Sequence, residues 1–112
     1  MHLAGIHRSD DLCYRLWDFI RTSEELKSNT TLVIMNEFGR DPDGSGTNGF
    51  FNHRTDTESC RMAWAMVLGA GVKKPQVIEK VIRQIDMAPS IASWMGIECD
   101  RAKGSVLPEF HG

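Results

Sequence analysis

TTLVIMNEFGRDPDGSGTNGFFNH, residues Thr30 to His53, changes character halfway along. Thr30 to Met35 is continuous, β-branched and apolar, which predicts a strand covered on both faces, as in a parallel sheet. Burying Leu32, Val33, Ile34 and Met35 would contribute roughly 1.5–3 kcal/mol each. The run then stops on Asn36-Glu37, and Asp41 to Gly49 carries Pro42, Gly44, Gly46 and Gly49, the chemistry of a loop. In open α/β sheets functional groups sit just beyond the carboxyl ends of strands. Glu37 occupies that place, so the loop has a reason to exist.

On either side of this stretch the pattern alternates between helix and strand. Ser9 is placed to cap a helix whose first turn holds Asp10 and Asp11. Leu12, Leu16, Phe19 and Ile20 share one face, widened by Cys13 and Trp17, which predicts a helix over about Asp10 to Arg21 with a weaker extension through Lys27. Met1 to Arg8 reads as a frayed terminus, although His2 and His7 with Asp10 or Asp11 form an alternative donor set. A second strand is expected from about Ala63 to Leu68, followed by the tight turn of "LGAGV". Pro75 to Ile82 fits a strand or a short helix. Asp86 is expected to cap a helix over Met87 to Met95, with Ile91, Trp94 and Met95 buried and Gly96 as its left-handed stop. Trp17, Trp64 and Trp94 read as core. The order is that of an α/β domain spanning residues 1–112.

Size and composition set limits. A chain of 112 residues supports one small core. It is 41% hydrophobic and 25% charged, with a net charge of -2 and no basic stripe, so no nucleic-acid partner is expected. No apolar run approaches the roughly 18 residues of a membrane span, and Met1 to Arg8 lacks the apolar core of a signal peptide. Compartment is therefore left open. Cys13, Cys60 and Cys99 are odd in number and widely spaced, which reads as reduced, buried thiols.

Glu37, Asp41, Asp43 and His53 are hard oxygen and imidazole donors of the kind that hold Zn, Mn, Mg or Ca. Their spacing matches no tight motif, and a solvated Asp41-Pro42-Asp43-Gly44 turn beside a surface histidine explains the same residues. Ser23, Ser45, Thr55 and Ser59 lie in no strand–nucleophile–helix elbow, so none is assigned as a nucleophile.

Four segments in order, "SDDLCYRLWDFIRTSEELKSNTTLVIMNEFGRD", "HRTDTESCRMAWAMVLGAGVKK", "IEKVIRQIDMAPSIASWMGIE" and "GSVLPEF", resemble the alkaline phosphatase and sulfatase superfamily from about Asp10 to Phe110. The ending Glu-Phe-Gly-Arg resembles a less characterised branch of it. The resemblance implies a partial alkaline-phosphatase-like sandwich, a mixed sheet with flanking helices. It also implies hydrolysis or transfer of phosphate or sulfate esters at a site with one or two divalent metals. The family's Asp-His pair falls on Glu37-Phe38; Glu37 retains an oxygen ligand and Phe38 has none. The later histidine falls on His53, and Arg40 is placed to face an anion. The family's nucleophile precedes the matched region, so the chain is expected to be the C-terminal part of a larger hydrolase. Cut from such a sheet, it is expected to self-associate or to pair with a missing N-terminal portion. The alternative is a non-catalytic α/β module that keeps the scaffold for binding or assembly.

Overall fold

A computed structural model describes residues 2–42, 53, 57–72 and 74–110. The chain divides into two compact units, Met1–Ala70 and Gly71–Gly112, and each is taken by itself. Helices and a small two-stranded sheet make it a mixed α/β chain.

In the first unit, α1 covers His2–Thr22, eight residues earlier than the expected start at Asp10. Ser9 lies inside it and caps nothing, and the terminus before it is helical rather than frayed. The reason is local: residues 3–9 contain no proline, and Leu3, Ala4 and Arg8 are good helix formers, so nothing stops the helix at Ser9. Arg8 Nε donates to the Ala4 carbonyl, and Asp11–Arg15 and Asp18–Arg21 pair along the surface. The extension toward Lys27 takes the form of turns, held by Ser23 N to Phe19 O, Lys27 N to Ser23 O and Thr30 N to Leu26 O. The expected buried face is a second correction. Ile20 is buried, but Leu12, Leu16 and Phe19 are 64%, 48% and 62% exposed. Helical period reports a common face, not what covers it.

Strand β1, Thr31–Met35, pairs with β2, Ala65–Gly69, in antiparallel register, with Thr31 opposite Gly69, Val33 opposite Val67 and Met35 opposite Ala65. The expected parallel surroundings are not what the described residues show. A continuous apolar run signals burial, and burial does not fix pairing direction. Four residues of β1 are half-buried and Met35 is exposed. Hydrogen bonds extend the ladder at both ends. Beyond Thr31, Ala70 N donates to Thr30 O and Thr31 Oγ1 to Ala70 O; beyond Met35, Trp64 N donates to Asn36 Oδ1. Gly69 closes the sheet with φ 109°, and a Cβ there would lie 2.4 Å from the Thr30 carbonyl oxygen, so only glycine keeps this register. The expected tight turn after the strand is present. A short helix α2, Glu58–Arg61, precedes β2.

In the second unit, residues 75–83 are neither strand nor helix. A 3-10 turn, Gln84–Asp86, leads into α3, Met87–Trp94, and a second 3-10 turn covers Pro108–Phe110. Gly96 ends α3 with φ 70°, as expected. Asp86 stands at the N-cap position but does not cap. The preceding turn has already put it in helical conformation, so its carboxylate faces back. It accepts from Arg83 N, Arg83 Nε, Arg83 Nη2 and Ser105 N. The Ser105 amide and then the Arg83 guanidinium hold its pKa below the ordinary aspartate value. Ser90, fully buried, donates to Asp86 O at 2.5 Å and accepts from Leu107 N at 2.9 Å. Met87, Pro89 and Ser90 are therefore the buried face of α3; Ile91 and Trp94 are half-buried and Met95 is exposed, against expectation. Trp17 is half-buried and Trp64 exposed, so Trp64 is not core.

Candidate functional site

The segment leaving β1 is fastened to the helix that leads into β2. Asn36 Nδ2 donates to Phe38 O at 2.9 Å, while its Oδ1 accepts the Trp64 amide at 2.7 Å. Gly39 N donates to Cys60 O at 2.8 Å. This approach is so close that a Cβ on Gly39 would lie 1.8 Å from Ser59 O and 2.9 Å from Met62 O. Glycine is required here by contact with a neighbouring backbone, not by a left-handed φ.

Two residues on, Asp41 has no solvent exposure. Its Oδ1 accepts from Thr57 Oγ1 at 3.0 Å and from Cys60 Sγ at 3.0 Å. Thr57 holds the N-cap position of α2, yet its hydroxyl makes no capping bond, because it is turned to Asp41. The expected solvated turn is thus overturned at Asp41: burial and two side-chain donors make it a structural clamp, not a surface loop residue. Asp43, Ser45 and Thr55 lie outside the described residues.

Glu37 and Arg40 are exposed between these fastenings, and so is His53. The His53 ring lies against that of Phe38, centroids 4.4 Å apart and planes inclined by 39°. Phe38 and Glu37 are adjacent in the chain, so the histidine sits beside the residue that follows the expected carboxylate ligand. A tilted ring pair at this distance is an attractive aromatic contact. Phe38, which offers no ligand atom, here packs against an imidazole.

Among the described residues no group of three or more His, Cys, Asp or Glu side chains is arranged to hold a metal ion. Glu37 and His53 are one carboxylate and one imidazole, fewer donors than such a group has. None of the three cysteines is in a disulfide; Cys60 is buried, Cys13 half-buried and Cys99 exposed, so the expectation of burial fails at Cys99. Among the described residues no helix is long and apolar enough to cross a membrane.

Sequence reasoning missed Asp41, Thr57 and Cys60 as a unit. The available signal was an acid at the start of a Pro-Asp-Gly turn, which points to solvent rather than burial. Comparison of the chain with family models, with curated proteins and with solved structures finds no match in any of the three.

Proposed function

We propose that the chain is the metal-bearing C-terminal part of a phosphate- or sulfate-ester hydrolase of the alkaline phosphatase and sulfatase type, with an alkaline-phosphatase-like sandwich completed by sequence outside it. The observation that supports this reading is the packing of His53 on Phe38, the residue that follows Glu37 in the chain. Glu37 supplies the anionic oxygen and His53 the nitrogen for a divalent cation, Zn, Mn, Mg or Ca. Arg40, on the same segment, faces the anionic group of the ester. A bound cation stabilises charge that grows on the non-bridging oxygens of a phosphoryl or sulfuryl group. The chain's own part is to hold Glu37 and Arg40 on a segment clamped to α2.

A non-catalytic binding or assembly module is the second reading. It is favoured by Phe38, which stands without a donor atom where the resemblance calls for a ligand, and by the apolar side chains exposed on α1.

Titration of the chain with Zn2+ and Mn2+, followed calorimetrically, tests the first reading. One bound equivalent, weakened at least tenfold by Glu37→Ala and by His53→Ala, is expected. Equal and weak uptake by all three proteins favours the module.

A further inference from the structure

The clamp beneath the site has a consequence for the site itself. Asp41 is fully buried four residues after Glu37, and its acceptor oxygen takes up the hydroxyl at the start of α2 and a thiol within it. Between Glu37 and Asp41, the Gly39 amide is bonded to the same Cys60 whose thiol reaches Asp41. Cys60 therefore grips the segment twice, by its carbonyl and by its sulfur. The segment has few ways to shift without breaking both grips, and the residue between them and Glu37 is Phe38, on which His53 rests.

We propose that Asp41 is a positioning residue for the Phe38–His53 contact, acting through Thr57 and Cys60. It does not touch the cation or the ester. Its carboxyl fixes the height of the Phe38 ring relative to α2, and the Phe38 ring fixes the imidazole. This also assigns Cys60 a role as hydrogen-bond donor to Asp41. The proposal rests on the hydrolase reading for its metal, but its structural half does not.

The test uses the whole chain with two readouts: NMR shifts of the His53 ring protons, displaced by the Phe38 ring, and Zn2+ affinity by calorimetry. Asp41→Ala, and the pair Thr57→Val with Cys60→Ala, are expected to move the His53 ring protons toward unstacked values. Both are also expected to weaken Zn2+ by roughly 10–100-fold, the usual effect of losing a group that orients a ligand. Thr57→Ser with Cys60→Ser keeps both donors and is expected to restore both readouts. That rescue separates positioning from general support of the fold, and stands even where Asp41→Ala does not fold. Wild-type His53 shifts in the Val/Ala pair would overturn the proposal, as would failure of the Ser/Ser pair to rescue. If the His53 shifts respond as expected and the wild-type chain takes up no Zn2+, the clamp stands and the metal reading falls. If Zn2+ binds through Glu37 and His53 and no clamp variant alters it, the metal reading stands and the clamp proposal falls.

Discussion

Gly39→Ala puts the strand-exit geometry under the sharpest steric test. The added methyl would lie 1.8 Å from the Ser59 carbonyl oxygen, far inside the roughly 3.5 Å at which non-bonded atoms rest. The obstacle is backbone on both sides, Ser59 O and Met62 O, so no side-chain rotation relieves it. The segment and α2 must part by about 1.5 Å, which no hydrogen bond across the joint survives intact. Three are at stake: Gly39 N to Cys60 O, and the bonds from Thr57 and Cys60 to Asp41. At about 1 kcal/mol net for each, the loss is about 3 kcal/mol. In urea unfolding with a slope of about 1–3 kcal/mol per molar, the midpoint is expected to fall by about 1–3 M. Gly5→Ala is the matched control, because a Cβ at Gly5 meets nothing within 4 Å and its position is exposed in α1. It is expected to raise stability by about 0.5–1 kcal/mol. A Gly39→Ala protein that unfolds at the wild-type urea concentration would refute the seating of the segment on α2.

Ser90→Ala removes a buried hydroxyl that both donates and accepts, leaving the Leu107 amide without it; a loss of about 1–3 kcal/mol in urea or thermal unfolding is expected, and a change under 0.5 kcal/mol would contradict it. Asp86 has a native pKa held below its unfolded value, so its contribution is present above the ordinary aspartate range and disappears as pH falls through the lowered native value. Asp86→Asn should flatten the acid limb of the stability curve, measured by denaturation at successive pH values; an acid limb identical to wild type would count against this. The exposed Leu12, Leu16 and Phe19 imply concentration-dependent self-association, visible by light scattering and reduced by Leu12→Glu with Leu16→Glu; a strict monomer at high concentration would contradict it.

Parts of this architecture were legible in the sequence for physical reasons, and parts were not. Strand β1 announced itself because β-branched apolar residues suit only a few backbone states, and α3 stopped at Gly96 because a left-handed φ selects glycine. The antiparallel pairing with β2 was hidden, because direction is decided by how residues 36–64 return and no residue of β1 encodes that. Helix α1 ran past Ser9 because a capping residue is only an invitation, and the preceding residues form helix well. At the site, Glu37 was placed at the strand end from its position alone. The burial of Asp41 was hidden because its partners, Thr57 and Cys60, lie 16 and 19 residues away and carry no local signature. The approach of His53 to Phe38 is half-legible: the donor chemistry of the imidazole marks His53, but no local signature pairs it with a distant aromatic ring.

The most direct measurement is the stoichiometry and affinity of Zn2+ or Mn2+ for the wild-type chain beside Glu37→Ala and His53→Ala. A single equivalent, lost or weakened at least tenfold in each variant, is the outcome expected if the carboxylate and the imidazole share one cation. Uptake that is the same in all three proteins would contradict a shared site at the end of β1.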